Sequence, residues 1–427
     1  MHATLLIGGT LVELSPPRLV RADLLIARDR IVDLSTEIPT TSTLDCSGCL
    51  IVPGLVLGHT HLYSSLATGL SLPGPAPTTF KEILERIWWR LDQALDERSL
   101  RTSALIGGMA AVRAGVTTIV DHHESPNFID GSLDVIADAL REVGVRAYLS
   151  YGTTDRHGPA GAQAGLRENE RFLGTTDPLI KGMVGLHAPF TASDQTLAAT
   201  ADLASKKGAW LHFHAAEGPD DQQAAQERWG TRLLPKLDQL GLLGPHTLLA
   251  HGVDLDASER DLLQARGSWV THQPRSNQNN GVGYAHRLLG LEQVALGTDG
   301  IDQDVMAELK AACWAARAHT GPAIWPDPIG RLSAGHQLLQ ALSGDTFGSL
   351  TPGSPGDLTV FQYDPATPLS ANNLGGHLLF GLGSQHVRDV FVAGRPLLRN
   401  RRLVGLDERA THAQALEIAA QLWRKLS

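Results

Sequence analysis

The sequence predicts an α/β fold: a (β/α)8 barrel inserted into a small composite β-sandwich domain. Three observations predict it. Eight short apolar stretches rich in β-branched residues recur between residues 50 and 299, separated by amphipathic stretches long enough for helices. Strands alternating with helices over about 250 residues describe a parallel barrel. The first 50 residues and the segment after residue 350 read instead as short strands broken by Gly, Pro and Ser/Thr clusters. The expected domains are 1–50 with 350–410 as the composite β-sandwich, 51–349 as the catalytic barrel, and 411–427 as a C-terminal helix.

In order, Leu5-Leu-Ile runs into Gly8-Gly9, and Leu11-Val-Glu-Leu runs into Pro16-Pro17. Residues 23–27 and 30–34 continue the same strand-and-turn pattern. The barrel strands are expected at 50–57, 116–121, 145–150, 180–186, 209–214, 247–251, 268–272 and 293–299. Helical patterns lie between them at 98–114, 131–143, 193–207, 231–241 and 257–266, then at 304–319 and 331–342. Pro352-Gly-Ser-Pro-Gly356 marks the turn into tail strands at 357–361, 387–392 and 397–404, and a helix over 407–426 closes the chain.

Composition narrows the function. The chain has 427 residues, 42% hydrophobic and 19% charged, with a net charge of −9, which argues against a nucleic-acid binder, whose footprint is basic. No apolar run reaches about 18 residues, so no membrane span is expected. The N-terminus lacks the basic region and cleavage site of a secretory leader, and the expected location is the cytoplasm. Three cysteines occur, and Cys46-x-x-Cys49 has no second pair to complete a zinc ribbon, so two small buried thiols are expected. There is no Gly-x-Ser-x-Gly elbow, no phosphate-binding Walker loop, and no Gly-x-Gly-x-x-Gly after a strand.

The chemistry is expected at the C-terminal ends of the barrel strands. There the chain places His59 and His61, Asp121-His122-His123, His187, His212 and His214 followed by Glu217, His251, His272, and Asp299. Residues i and i+2 of a strand share a face, so His59 and His61 can hold one ion from the same side or simply cap the strand. Placement is the signal, because a surface role would not gather histidines at strand ends. His212 lies one layer deeper than His214, which suits a supporting role. Tyr63, Trp88 and Trp89 near the mouth suit stacking against a planar ring, or packing. Arg275 reads either as a partner for an acidic substrate group or as a solvated side chain.

Pro53-Gly54-Leu-x-x-x-His59-Thr-His61, Gly115-Val-Thr-Thr, His212-x-His214-x-x-Glu217, Ala250-His251-Gly, Gly297-Thr-Asp299 and Gly353-Ser-Pro-Gly-Asp357-Leu together resemble the amidohydrolase superfamily, of the cytosine deaminase and chlorohydrolase type. His59-Thr-His-Leu-Tyr-Ser-Ser65, Val120-Asp-His-His-Glu-Ser-Pro126 and Ile87-Trp-Trp-Arg-Leu-Asp92 look like its SsnA branch of aminohydrolases. The resemblance implies that His59, His61, His214 and Asp299 ligate one divalent metal, zinc first and iron second. It implies Glu217 as general acid/base, and His251 as the residue that orients the water, polarises the substrate or ligates directly. Asp299 would also help to aim the water. His187, Trp88, His122 and Asn277 become candidate substrate contacts. Strand seven departs from the commoner pattern, with His272-Gln-Pro-Arg-Ser-Asn277 where relatives often have Cys-Pro-x-Ser-Asn.

The expected activity is metal-dependent hydrolysis of carbon–nitrogen bonds other than peptide bonds, with deamination of a nitrogen heterocycle first. Cyclic amide opening and chlorohydrolysis are alternatives within the class. A non-catalytic, metal-containing ligand-binding protein is the alternative outside it. The expected partner is a small molecule rather than nucleic acid or membrane, in a homodimer.

Overall fold

A computed structural model describes residues 3–36, 38–71 and 73–426. The chain opens with an antiparallel pair, Ala3–Leu14 and Pro17–Ala27. These join Arg30–Val32, Ser42–Asp45 and Cys49–Pro53 in one sheet with the late strands Leu358–Gln362, Val387–Val392, Arg395–Arg399 and Arg402–Leu403. The two ends of the chain meet where Cys49–Pro53 runs antiparallel to Leu358–Gln362. Leu6, Leu24, Ile51, Val360 and Phe391 pack beneath that junction.

Between these ends lie nine parallel segments: β1 (Leu55–Thr60), β2 (Val116–His123), β3 (Arg146–Tyr151), β4 (Ile180–Gly182), β5 (Val184–Leu186), β6 (Leu211–Ala215), β7 (Thr247–His251), β8 (Trp269–His272) and β9 (Val294–Leu296). β1 to β4 form a four-stranded sheet and β5 to β9 a five-stranded one, each in sequence order. Single bridges, Thr60 to Asp299 and Thr153 to Leu186, link the two sheets at either side. Nearly every residue of these strands is buried, as expected where helices cover parallel sheets. The covering helices include α1 (Glu97–Arg113), α2 (Ala257–Arg266), α3 (Val305–Thr320) and α4 (Pro328–Ser343). Asp96, Asp256, Asp304 and Asp327 cap them by accepting the free first-turn amides. The fold is therefore α/β with parallel sheets. Among the described residues no helix is long and apolar enough to cross a membrane.

Three expected strands differ in the structure. The stretch 50–57 is two strands: Cys49–Pro53 belongs to the terminal sheet, and β1 starts after Gly54. A side chain at Gly54 would place Cβ 2.1 Å from Thr117 Oγ1, so only glycine lets the chain pass between sheets here. The stretch 180–186 breaks into β4 and β5, which fall in different sheets. The last strand ends at Leu296, because the amides of Thr298 and Asp299 turn back to the His59 carbonyl at 2.8 and 3.3 Å. Helix Gly158–Phe172 was not anticipated, since its Gly and Ala residues dilute the apolar period.

Replacing Gly54 with Ala should lower the unfolding free energy by about 1–3 kcal/mol in urea, the usual range for overpacking. Adding Thr117→Ala should recover part of the loss, and a Gly54→Ala chain as stable as wild type would contradict the close approach.

Candidate metal centre and active site

β1 delivers His59 and His61 to one end of the sheets, β6 delivers His214, and β7 delivers His251. Asp299 arrives from the turn after β9. One ligand atom each from His59, His214, His251 and Asp299 lies within 4.8 Å of all the others, and His61, His122 and His214 form a second such group. His61 joins the two: its Nε2 is 2.9 Å from Asp299 Oδ1 and 3.1 Å from His214 Nε2. His59 Nε2 stands 3.6 Å from Asp299 Oδ1.

The orientation of each ring is fixed from behind. His61 Nδ1 donates to the carbonyl of His122 at 2.6 Å, and His214 Nδ1 to that of His187 at 2.7 Å. A carbonyl can only accept, so both Nε2 atoms are left with a lone pair facing inward. His251 Nδ1 meets Asn277 Oδ1 at 3.0 Å. His59 Nδ1 meets His212 Nε2 at 2.9 Å, and His212 Nδ1 meets Ser150 Oγ at 3.3 Å. The Nε2 atoms of His59 and His251 are buried with no hydrogen-bond partner among the described residues. Such orphaned acceptors are costly unless something else binds them. Burial also holds His59 down to about 3, and His214 and His251 below the usual imidazole range, so these rings are neutral at pH 7. Neutral imidazoles with one carboxylate fit a divalent metal ion with a free position for water.

Asp299 is the charged member. Burial opposes its ionisation, but the adjacent His59 and His61 imidazoles hold it well below the usual carboxylate range. Ser276 Oγ donates to its other oxygen. Glu217 is the opposite case. Burial first, and the Asp299 charge second, push it well above the usual range. Its Oε2 lies 3.4 Å from His251 Nε2, and Asn280 donates to Oε1 at 3.3 Å. A protonated carboxyl beside an ionised one is the arrangement a proton shuttle needs.

His251 and Asp299 have left-handed backbones, φ 82° and 55°, and Ala216, just before Glu217, has φ 52°. Non-glycine residues in this region are rare and cluster at functional sites. Here the ends of β6, β7 and β9 all turn that way around the site.

These residues face a narrow cavity of about 40 Å³, walled by Tyr63, Leu84, Trp88, Trp89, Glu124, His187, Phe190 and Asn280. That volume holds a few waters, so a ring-sized substrate enters only when wall side chains move. Leu84–Trp88 is a π-helical turn, a form found mostly at functional sites. Trp88 lies over Gly300, where any Cβ would come within 2.6 Å of the indole.

Several expected residues take other places. His122 was expected to touch substrate, but it is fully buried, with Nε2 bonded to the Leu186 carbonyl at 3.0 Å. Its ring packs beneath the cavity against those of His59, His212 and His214. Asn277 is also fully buried and holds His251 instead of lining the cavity. His272 leaves β8 on the outer face, against Tyr284, since Thr271 takes the inner one. Arg275 pairs with Glu308 and with both oxygens of Asp302, so it is neither solvated nor free for substrate. Cys46 and Cys49 are buried free thiols.

Glu124 is the wall residue the sequence reading passed over. It pairs with Arg156, which also bonds Asp92 at 2.9 Å and lies over the Trp89 ring at 4.7 Å. Burial pushes Glu124 up to about 8, and its Oε1 is 3.5 Å from His187 Nε2. The signal was available: Glu124 follows Asp121-His-His directly, and Asp92 closes the Trp-Trp-Arg-Leu-Asp stretch.

The amidohydrolase family model matches residues 50–397, and the chain belongs to that family. Curated relatives include the 5'-deoxyadenosine deaminase of Methanothermobacter thermautotrophicus, 30% identical over 94% of this chain and 95% of that one. The 5-methylthioadenosine/S-adenosylhomocysteine deaminase of Haloarcula marismortui is 29% identical over 94% of each. A zinc-bound adenosine deaminase from Xanthomonas campestris superposes with a TM-score of 0.85 at 23% identity, covering 98% of both chains. The protein is thus a metal-dependent hydrolase of carbon–nitrogen bonds other than peptide bonds.

Purified protein should carry about one divalent ion per chain, lost in His214→Ala. Asn277→Leu removes the acceptor behind His251, and if that ring ligates, metal affinity should fall about 10–100-fold in chelator competition. Unchanged affinity would exclude His251 from the ligand set.

Proposed function

We propose that this protein deaminates a nitrogen heterocycle, with an adenine nucleoside as first choice, adding water to the amino-bearing ring carbon and releasing ammonia. The observation that carries this is Glu217, kept protonated by burial beside ionised Asp299 at the floor of an aromatic-walled cavity. The names of the relatives support the substrate class.

In this reading His59, His61, His214 and Asp299 would hold the metal, zinc ahead of iron, which when bound would supply a water acidified towards neutrality. Asp299 would accept a hydrogen bond from the attacking water and aim it. Glu217 passes its proton to a ring nitrogen as the water adds as hydroxide, takes the remaining proton of the added hydroxyl and gives it to the departing amine, and the next water to bind returns a proton to it. His251, its Nδ1–H held by Asn277 Oδ1, accepts through Nε2 at the attacked carbon's oxygen. His187 and Trp88 fix the ring, by hydrogen bond and by stacking. The two parallel sheets then correspond to a closed (β/α)8 barrel over residues 51–349, set in a composite β domain of 1–50 with 350–410 and followed by the helix 411–427. The working form is a cytoplasmic homodimer.

The test is ammonia release from adenosine, 5'-deoxyadenosine, 5'-methylthioadenosine, S-adenosylhomocysteine, guanine and triazines, with hydantoins as a ring-opening control. Glu217→Gln should lower turnover on the best substrate about 10²–10⁴-fold, the usual weight of general acid–base catalysis, while metal content stays near wild type. Ring opening without ammonia, or unchanged turnover in Glu217→Gln, would overturn the proposal.

A further inference from the structure

A second cavity lies outside the sheets, away from the centre described above. It opens between β8, β9 and helices α3 and α4, with a volume of about 800 Å³. That is within the range of small-molecule sites. Leu288, Ala312, Ala316, Ile324 and Trp325 give it an apolar lining.

Two polar side chains inside it lack the partners their burial calls for. Arg331, in the first turns of α4, is half-buried. Its guanidinium reaches only two backbone carbonyls, Val294 at 3.4 Å and Leu288 at 3.2 Å. Among the described residues no carboxylate lies within ion-pair distance of it. By contrast Arg146 is paired with Asp357, Arg156 with Asp92 and Glu124, Arg275 with Asp302 and Glu308, and Arg388 with Asp389. Asp327, four residues before Arg331, is spent on the Gly330 amide at the helix cap. His272 is 4% exposed, and among the described residues neither of its ring nitrogens has a partner. It also lines this cavity, facing the Tyr284 ring at 5.8 Å.

An unpaired guanidinium beside an unpaired imidazole, in an apolar cleft, is complementary to an anionic head on an apolar body. Charge sets how large that anion can be. Burial and the Arg331 charge hold His272 down to about 3, so the ring is neutral and Arg331 contributes the single positive charge. The exposed carboxylates Glu292 and Asp327 stand at the mouth. A monoanion is matched there, and a phosphate dianion is not.

We propose that this cleft is a binding site for a small monocarboxylic acid with an apolar body, its carboxylate held by Arg331 and by the His272 N–H. The site is independent of the catalytic reading, because none of its residues takes part in that chemistry.

Calorimetric titration of the metal-loaded protein with benzoate, with benzamide as the neutral control, tests this. Benzoate should bind one per chain with a dissociation constant on the order of 1 mM, fitting a ligand of this size, and benzamide should bind at least tenfold more weakly. Arg331→Gln should weaken benzoate at least tenfold. Should that variant fail to fold, Ala316→Phe fills the cleft without touching Arg331 and should abolish binding by itself. Turnover of the best substrate should be unchanged in Ala316→Phe. No benzoate binding by the wild type, equal binding of benzamide, or binding that survives Ala316→Phe would overturn the proposal, the last by placing the ligand elsewhere.

Discussion

The centre depends on one repeated constraint: each imidazole spends a ring nitrogen on an acceptor fixed by the fold, and the other is turned inward toward Asp299 and the neighbouring rings. For His61 and His214 the acceptor is a backbone carbonyl of the neighbouring strand end. The tautomer is therefore set by strand register, before any ion arrives. The same carbonyls belong to His122 and His187, which explains why residues at the ends of β2 and just beyond β5 matter to the centre even where their own side chains do not enter it.

Burial then divides the charges. Asp299 lies beside two imidazoles and stays ionised; Glu217 has one weak amide donor, deep burial and a negative neighbour, and stays protonated. Two carboxyls in one cavity acquire opposite states from their different neighbours. The wall repeats the theme. Arg156 is shared by Asp92 and Glu124, so one positive charge serves two carboxyls, and burial raises both, Glu124 next to His187. The cavity is thus lined with groups able to donate hydrogen bonds, as suits a substrate rich in ring nitrogens.

Much of this was legible in the sequence because it obeys simple periods. Strand–helix alternation gave the α/β class with parallel sheets. The i, i+2 spacing of His59 and His61 and the three-residue step from His214 to Glu217 placed those groups on one side. What was not legible needed three dimensions. The break at Gly54 depends on Thr117 standing in the way, 63 positions later. Counting strand-end histidines could not say that His272 faces outward, because one residue of register decides it. Asn277 and His122 were near the site in sequence terms, yet which side chain reaches the cavity and which braces a neighbour is set by packing. Arg275 could be assigned only once Glu308 and Asp302 were seen around it.

The left-handed backbones at His251, Asp299 and Ala216 bear on how far the molecule could be stabilised. A non-glycine residue there costs on the order of 1–2 kcal/mol, and at His251 and Asp299 that cost cannot be removed without removing the side chain that does the work. Ala216 is different. It is fully buried, and its carbonyl accepts the amides of Val253 and Asp254 at 2.7 and 2.9 Å, while its methyl group carries no chemistry. Glycine would keep those bonds and relax the turn, partly offset by a freer unfolded chain. Of the three strained corners, one is thus a reserve of thermal tolerance that could be drawn on without altering the reaction.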